Sequence, residues 1–290
     1  MVKRLVRLRN YLVYKFYDIS ASITRKTFPT NSSANFIVSI ASYPKRDPLL
    51  PAVFQALSNQ TCPPLKYVLV LSEEDYDNRE IPSHLKKLEK KGVEIIWNRN
   101  NPYAVKKLVP VVEKYAELAV VTLDDDFIYH KNLLENLINN KYVKEGCIVG
   151  HVGKAMYRKG NEVKMMYRTP KKVDESTPPE EIYFLGGWGT YYPPNSLHSK
   201  FKDIGKINEI IPGRGSDFWF WAAAIANGTK QVCIGIPDSF RLGIPIPQNE
   251  QTKPRDLPGR NIVEQRFQKT IDYFEIRDKL IEILPDKNDI

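Results

Sequence analysis

The sequence is poor in cysteine and lacks any long hydrophobic run, and both absences restrict the class of protein. Only Cys62, Cys147 and Cys233 occur among 290 residues, in odd number and at wide spacing, so neither a disulfide framework nor a thiolate zinc site is predicted. No apolar stretch approaches the ~20 residues of a membrane-spanning helix, and no small-residue cleavage site follows a hydrophobic core. We therefore expect a cytoplasmic protein without a transmembrane anchor or a signal peptide.

Glycine-rich nucleotide motifs are also absent. Neither G-x-G-x-x-G nor a P-loop follows a predicted strand, which disfavours a dinucleotide-binding fold and an NTPase. Positive charge, in contrast, is abundant: 43 lysines and arginines against 34 acidic residues give a formal net charge of +9. Such a charge indicates an anionic partner, and nucleic acid, an anionic membrane and a phosphate-bearing ligand all satisfy it.

The positive charge is densest at the N-terminus. Residues 1–28 contain seven lysines and arginines and one acidic residue, Asp18, with apolar residues interleaved at near-helical spacing. This pattern predicts a basic amphipathic helix, followed by a linker that ends at residue 34. Two interpretations stay open, since the helix can lie on the inner face of an anionic membrane or pack on the protein's own body.

From residue 35 the sequence alternates strand and helix patterns. Apolar runs at 36–40, 67–71, 93–97 and 118–123 predict strands. The segments 49–59, 84–91 and 104–115 between them predict helices. We therefore predict an α/β fold with a mostly parallel central sheet and helices on both faces.

Three consecutive carboxylates, Asp124, Asp125 and Asp126, follow the fourth predicted strand. Ligands in open α/β sheets collect outside the carboxyl ends of the strands. Alternation of the backbone points Asp124 and Asp126 to the same side, where they would repel each other without a cation. Mg²⁺ or Mn²⁺ relieves this repulsion and usually brings phosphate oxygens with it. The cluster indicates a metal–diphosphate site, with a solvated turn as the structural alternative.

Aromatic and cationic residues are predicted at the same edge of the sheet. The first strand runs into Tyr43, suited to stacking on a base, and Arg46, whose planar guanidinium suits a diphosphate. Lys106 and Lys107 precede the acidic strand and can reach the same place. The structural alternatives are a plain turn at Tyr43 and solvent-facing lysines.

Downstream of the carboxylates the pattern is less regular. Gly187, Trp188 and Tyr191 belong to a glycine-aromatic segment suited to binding a saccharide, although core aromatics around a tight turn give the same pattern. Asp217 precedes a predicted helix over 218–226, where an N-cap is the structural interpretation.

Taken in order, several segments resemble the bacterial nucleotide-sugar glycosyltransferases of the GT-A fold, of the family 2-like sort found in capsule and lipopolysaccharide gene clusters. They are VSIASYPKR, ALSNQTCPP, YVLVLSEED, VTLDDDFIYHKNLLENL, GGWGTYYPPNSL and GSDFWFWAAAIANGTK. The resemblance implies that Asp126 is the principal ligand of Mn²⁺ or Mg²⁺ and that Asp124 supports the ion or the ribose. Asp125 lies beside them in the same donor-binding motif.

The resemblance also implies roles outside the acidic cluster. Ser42, Tyr43 and Arg46 would lie near the nucleotide, and Asp217 would deprotonate the acceptor hydroxyl. Relatives often have two adjacent acids where this chain has Ser216 and Asp217. Many also place a histidine metal ligand after this helix, but all four histidines here precede it. Asp238 is then a candidate third ligand, with a turn as the alternative.

The resemblance implies a metal-dependent hexosyl- or N-acetylhexosaminyltransferase. It would move sugar from a nucleotide-diphosphate donor, with UDP-sugar favoured, to a glycan or lipid-linked acceptor in surface polysaccharide or lipopolysaccharide synthesis, with inversion favoured. The chain would comprise a basic segment at 1–34, a donor half at 35–127, an acceptor half at 128–247, and a mobile loop with a closing helix at 248–290.

Two alternatives come from other classes of protein. A sugar-phosphate nucleotidyltransferase also uses carboxylates and a divalent ion, but the chain lacks its glycine-rich loop. A non-catalytic protein that binds a membrane surface or nucleic acid would explain the positive charge. We expect no nucleic acid partner, because clustered carboxylates would repel one and no nucleic-acid motif occurs.

Overall fold

The computed structural model describes residues 2–165, 173–236, 242–248 and 259–287. The α-helices in these ranges are α1 (Val2–Ile23), α2 (Leu50–Leu57), α3 (Ser83–Lys90), α4 (Val109–Lys114), α5 (Leu133–Ile138), α6 (Lys141–Lys144), α7 (Ile204–Ile210), α8 (Ser216–Asn227), α9 (Arg260–Tyr273) and α10 (Arg277–Ile283). The strands are β1 (Phe36–Ala41), β2 (Lys66–Ser72), β3 (Val93–Asn98), β4 (Ala119–Leu123), β5 (Phe127–Tyr129), β6 (Ile148–Gly150), β7 (Gly153–Lys159), β8 (Glu162–Met165), β9 (Ile182–Phe184), β10 (Thr190–Tyr192), β11 (Gln231–Cys233) and β12 (Gly243–Pro245). Short 3-10 helices cover Asp47–Leu49, Glu73–Asp75, Asp77–Arg79, Tyr103–Lys107, Pro179–Glu181, Gly186–Trp188 and Ser199–Lys202.

Seven strands form the central sheet, in the order β11-β6-β10-β4-β1-β2-β3. The strands β1 to β4 run parallel, β10 runs antiparallel to its neighbours β4 and β6, and β11 is parallel to β6. The predicted α/β fold with a mainly parallel sheet is confirmed. Because β1, β2 and β4 are parallel, their carboxyl ends meet at one edge, where ligands of such sheets bind.

Side chains of the central strands alternate between two hydrophobic cores, one on each face of the sheet. In β1, Ile37 belongs to one core, whereas Val38 and Ile40 belong to the other. The helices α2, α3 and α5 complete the second core, and α4, α8 and α9 complete the first. The predicted cover of helices on both faces is therefore present.

Two predicted helices are interrupted in the structure. The pattern over 104–115 divides into a 3-10 helix, Tyr103–Lys107, and α4. Pro110 lies in the first turn of α4, where proline is tolerated. Because proline has no backbone N–H, it cannot continue the hydrogen bonding of a preceding helix. The long helix predicted over 261–284 is instead two helices, α9 and α10, separated at Glu275, whose φ of 59° ends a right-handed helix.

The predicted N-terminal helix is present as α1. One of its faces packs on the body of the protein through Val13, Tyr14 and Tyr17. Asn10 on the same face is buried, and its Nδ2 donates to the Pro245 carbonyl over 3.2 Å. Among the described residues, no helix combines the length and the apolar character needed to cross a bilayer.

Candidate functional site

The acidic triplet lies where the neighbouring strands β1 and β4 end. Ser42 follows β1, and its Oγ donates a hydrogen bond of 2.8 Å to Asp125 Oδ2. The Arg46 guanidinium pairs with Asp125, and its Nη1 also lies 3.1 Å from Asp126 Oδ2. The structure thus brings together Ser42, Arg46 and two of the three predicted carboxylates, since parallel register places the two strand ends side by side.

Asp125 is turned toward β1 and is only 4% exposed. Burial raises its pKa, although Arg46 and the Ser42 hydroxyl oppose this shift. These contacts hold Arg46 in place, where Nη1 contacts both Asp125 and Asp126. Tyr43, half-buried, lies against the same guanidinium at 5.7 Å from the ring centroid, which is within cation–π range.

Lys107 interacts with carboxylates from two segments that are distant in sequence, the one after β4 and the first turn of α8. Its Nζ donates to Asp124 Oδ1, and its side chain is almost fully buried. Burial alone would lower the pKa of this amine, but Asp124 and Asp217 together raise it above its usual value. Lys107 therefore stays charged and stabilises carboxylates that follow β4 and begin α8. We call Asp124, Asp126, Asp217 and Lys107 the carboxylate cluster.

The adjacent lysine points elsewhere. Lys106 Nζ donates to Ser72 Oγ over 2.9 Å and lies 3.6 Å from an Asp75 carboxylate oxygen, at the end of β2. Burial lowers the pKa of Lys106, and Asp75 opposes that shift. The two lysines predicted to act together are therefore assigned by the structure to different strand ends.

Two consecutive glycines lie against the carboxylates of the cluster. A Cβ atom on Gly187 would lie 2.7 Å from Asp124 Oδ2, and one on Gly186 would lie 2.8 Å from Asp217 Oδ1. The Tyr129 hydroxyl accepts from the Asp124 backbone N–H over 2.8 Å and donates to the Gly187 carbonyl over 2.9 Å. A Cβ at either position would force the neighbouring carboxylate to shift, which favours glycine here.

The two aromatic residues predicted to bind an acceptor have different environments. The Trp188 ring is partly exposed and packs on Phe127 with a centroid distance of 4.8 Å. Tyr191 is 4% exposed and belongs to the hydrophobic core of the sheet, opposite Val121 and Val149. For Tyr191 the observed environment is that of a core aromatic, which was the structural alternative.

Asp217 lies in the first turn of α8, not at its N-cap. The helix begins at Ser216, with Gly215 as the N-cap residue. The Gly186 N–H donates to Asp217 Oδ2 over 3.3 Å, and Ser216 Oγ lies 3.3 Å from Oδ1. Burial raises the pKa of Asp217, whereas Lys107 lowers it. The net shift is upward, so the carboxylate is more basic than an exposed aspartate.

Asp126 contacts a residue that the sequence did not single out. Gln248 Nε2 donates to Asp126 Oδ2, and the Ile246 N–H donates to the Asp126 carbonyl over 2.8 Å. Pairing of β12 with β5 positions this segment. The other carboxylate oxygen, Asp126 Oδ1, is buried without a hydrogen-bond partner among the described residues. Burial raises the pKa of Asp126 to about 6, with Arg46 opposing the shift.

The donor set suits a hard divalent cation. Among the described residues, four carboxylates, those of Asp124–Asp126 and Asp217, interact with Arg46 and Lys107 and outnumber these two cations. The unpaired Asp126 Oδ1 is a ready oxygen ligand. Within the described ranges, no group of three or more His, Cys, Asp or Glu residues has metal-binding geometry. Asp238, the candidate third ligand, lies outside the described residues.

A second acidic group lies at the end of β2 and beyond the end of β1. Both Asp47 carboxylate oxygens lie 2.8 Å from the Tyr76 hydroxyl, and Asp75 faces Lys106. Burial raises the pKa of Asp47 to about 6. The run Glu73, Glu74, Asp75 follows β2 directly, so the rule that located the triplet after β4 would also have located this group.

Comparisons with known proteins show a shared fold without a detectable sequence family. No protein-family model matches the chain, and no curated protein sequence matches it significantly. The structure of *S. aureus* TarS 1–349 in complex with UDP-GlcNAc is 14% identical over 84% of this chain and 66% of that chain, with a TM-score of 0.50.

Further matches are more distant in structure. *S. aureus* TarS 1–349 without that ligand gives 15% identity over 70% of this chain and 58% of that chain, with a TM-score of 0.44. The mannosyltransferase PcManGT from *Pyrobaculum calidifontis*, in complex with GDP-Man and Mn²⁺, gives 12% identity over 96% and 86%, with a TM-score of 0.45. The chain thus spans less than two thirds of the TarS 1–349 structure. The fold is the GT-A type of nucleotide-sugar glycosyltransferases, as the UDP-GlcNAc complex of TarS shows.

Proposed function

We propose that this protein is a glycosyltransferase that uses a nucleotide-diphosphate sugar. The observation that carries the proposal is the carboxylate cluster, in which buried Lys107 lies between Asp124 and Asp217 at the ligand-binding edge of the sheet. Transfer from such a donor requires a stabilised leaving group, a positioned acceptor and a base for its hydroxyl proton. The cluster supplies residues for the first and third of these requirements, on a fold that such transferases share.

On the donor side, Asp126 and Asp124 would hold Mn²⁺ or Mg²⁺. When bound, the cation would offset the negative charge of the leaving diphosphate. Arg46, oriented by Asp125, is a planar cation suited to phosphate oxygens, and Tyr43 beside it is suited to a base. Ser42 fixes Asp125 from the opposite side and so keeps Arg46 in position.

On the acceptor side, Asp217 would act as the base. Burial raises its pKa, which increases its proton affinity, and Lys107 opposes that shift. The Gly186 N–H fixes one carboxylate oxygen. The sequence resemblance favours direct displacement with inversion. Trp188, partly exposed beside the cluster, would contact the acceptor sugar.

The finer assignment rests on the sequence resemblance. We propose a hexosyl or N-acetylhexosaminyl donor, with UDP-sugars first, and a glycan or lipid-linked acceptor in the synthesis of surface polysaccharide or lipopolysaccharide.

A nucleotide-release screen tests the proposal. The protein would be incubated with UDP-, GDP- and CMP-sugars in the presence of Mn²⁺, and free nucleotide would be measured. We expect release of UDP or GDP but not of CMP, abolished in Asp126→Asn but unchanged in Asp278→Asn, which alters an exposed carboxylate on α10. Absence of release from every donor, or equal release by the Asp126→Asn variant, would contradict it.

A further inference from the structure

Helix α1 leaves a large apolar surface uncovered. Of the twelve large hydrophobic side chains that are exposed in the described part of the chain, eight lie on this helix. Six of them recur every three or four residues and form what we call the apolar stripe: Leu5, Leu8, Leu12, Phe16, Ile19 and Ile23. Their exposure ranges from 54% for Leu8 to 72% for Ile23. Isolated exposed apolar residues are common in proteins, but a continuous stripe marks an interaction surface.

The apolar stripe is on the side of α1 that faces away from the domain. At about 100° per residue, the six side chains fall within a sector of roughly 80°. The residues that pack on the core, Val13, Tyr14 and Tyr17, fall on the opposite side together with buried Asn10. Helix α1 is thus apolar on two faces, and packing on the protein's own body accounts for only one.

Basic residues border the apolar stripe. On the helical wheel, Arg4 and Lys15 lie on one side of it and Arg9 on the other. Arg4 and Arg9 are exposed. The single acidic residue of the segment, Asp18, pairs with Lys15 at 3.0 Å. An apolar band with a basic border is the pattern of a helix that lies in the plane of a membrane interface.

We propose that α1 docks the protein on an anionic lipid surface, with the apolar stripe inserted among the acyl chains and the flanking arginines at the headgroups. A second copy of the chain is a poorer occupant, because pairing two stripes would bring two strongly basic segments together. Anionic headgroups complement that charge, and each basic residue near the surface strengthens binding about fivefold.

The docking surface is connected to the carboxylate cluster. Arg7 Nη2 donates to the Gln248 carbonyl over 3.3 Å, and the Gln248 side chain donates to Asp126. Docking would therefore hold the candidate site close to the lipid surface. The docking proposal does not depend on the transferase activity, because lipid binding is measured without a donor.

Vesicle sedimentation of the full chain tests this proposal. One vesicle is phosphatidylcholine alone and the other is an equal mixture of phosphatidylcholine and phosphatidylglycerol. We expect sedimentation with the mixed vesicles, weakened by high salt, and much less with phosphatidylcholine. Equal binding to both vesicles, or to neither, would overturn the proposal.

Two variants separate the apolar contribution from the charge. In Leu8→Ser/Leu12→Ser/Phe16→Ser the partition coefficient should fall at least tenfold, whereas Ile262→Ser/Ile283→Ser, which alters exposed apolar residues elsewhere, should not change it. The Arg4→Gln/Arg9→Gln variant should bind the mixed vesicles about 25-fold more weakly, with no change on phosphatidylcholine alone. Unchanged binding by the triple variant would overturn the proposal, as would a dimer in analytical ultracentrifugation that the triple substitution dissociates.

Discussion

Two regions of the chain meet in the carboxylate cluster, and they are built differently. Residues 36–126 contribute strands of five to seven residues, and the site residues Ser42 and Asp124 directly follow two of them. In residues 127–248 most strands have three residues. The site residues of this second region lie in a 3-10 helix, in the first turn of α8 and in the segment after β12. Regular sheet edges place residues by local pattern, whereas the second region places them by tertiary contact.

The largest effect should come from Asp217, the proposed base, which lies in the second region. We expect Asp217→Asn to reduce turnover by about 100- to 10,000-fold, because the acceptor hydroxyl would lose its proton acceptor. Nucleotide affinity should stay within twofold of the wild type, since the donor-side carboxylates are unchanged. Steady-state kinetics and calorimetric titration measure the two quantities. Normal turnover in this variant would remove Asp217 from the mechanism.

Lys107 connects the two regions, so its loss should separate them. In Lys107→Met, Asp124 and Asp217 lose a buried cation, and we expect the free energy of unfolding to fall by about 3 kcal/mol. Chemical denaturation measures this change. Lys114→Met is the matched control, because Lys114 is an exposed partner of Glu94 and should contribute under about 1 kcal/mol. An equal loss of unfolding free energy in the two variants would show that Lys107 does not connect the two regions.

A methyl group added at Gly187, where the two regions meet, should weaken donor binding alone. In Gly187→Ala the new Cβ would displace Asp124 Oδ2, which lies 2.7 Å away, and we expect nucleotide affinity to fall about tenfold. Gly259→Ala is the control, since no atom lies within 4 Å of its added Cβ. Calorimetry on both variants gives the comparison. Unaltered affinity in Gly187→Ala would mean that Asp124 adapts without cost.

The smallest effect concerns a buried acid of the first region outside the cluster. Burial raises the pKa of Asp47 from 3.8 to about 6; Tyr76 and Lys106 lower it, and Asp125 and Asp75 raise it. A raised carboxyl pKa means that the folded state prefers the protonated form. The stability due to Asp47 is therefore present below about pH 4 and is lost as the pH rises through about 6.

Asp47→Asn should remove this pH dependence. A shift of about two pKa units corresponds to at most about 3 kcal/mol. Asn offers Tyr76 one acceptor oxygen instead of two, so we expect a net gain in stability of about 1 kcal/mol at pH 7. Thermal unfolding from pH 4 to pH 7 measures it. A variant that loses stability in parallel with the wild type over this range would disprove the assignment.

Much of the first region was predictable because strand periodicity fixes the ends of parallel strands. The positions of Ser42, Arg46 and the triplet follow from strand boundaries alone. The contact of Lys107 with Asp124, in contrast, depends on the chain direction after the 3-10 helix. No local pattern distinguished Lys107 from Lys106, although the two side chains reach different strand ends.

The second region was less predictable because its contacts join segments distant in sequence. Gln248 reaches Asp126 across 122 positions, and nothing around Gln248 in the sequence marks it as a site residue. The glycine-aromatic pattern predicts that the segment with Gly187 binds a ligand. It does not predict that the glycines 186–187 lie close to carboxylates. Tyr191 was grouped with Trp188 by proximity in sequence, whereas strand pairing buries Tyr191 in the core.

The central claim is that the cluster binds a nucleotide diphosphate together with a divalent ion. Calorimetric titration of the wild type and Asp126→Asn with UDP, GDP and CMP, with and without Mn²⁺, tests it most directly. We predict binding of UDP or GDP that requires Mn²⁺ and is lost in Asp126→Asn, and no binding of CMP, which lacks the second phosphate. Binding that is independent of Mn²⁺ and equal in the two proteins, or no binding of any nucleotide, would contradict the claim.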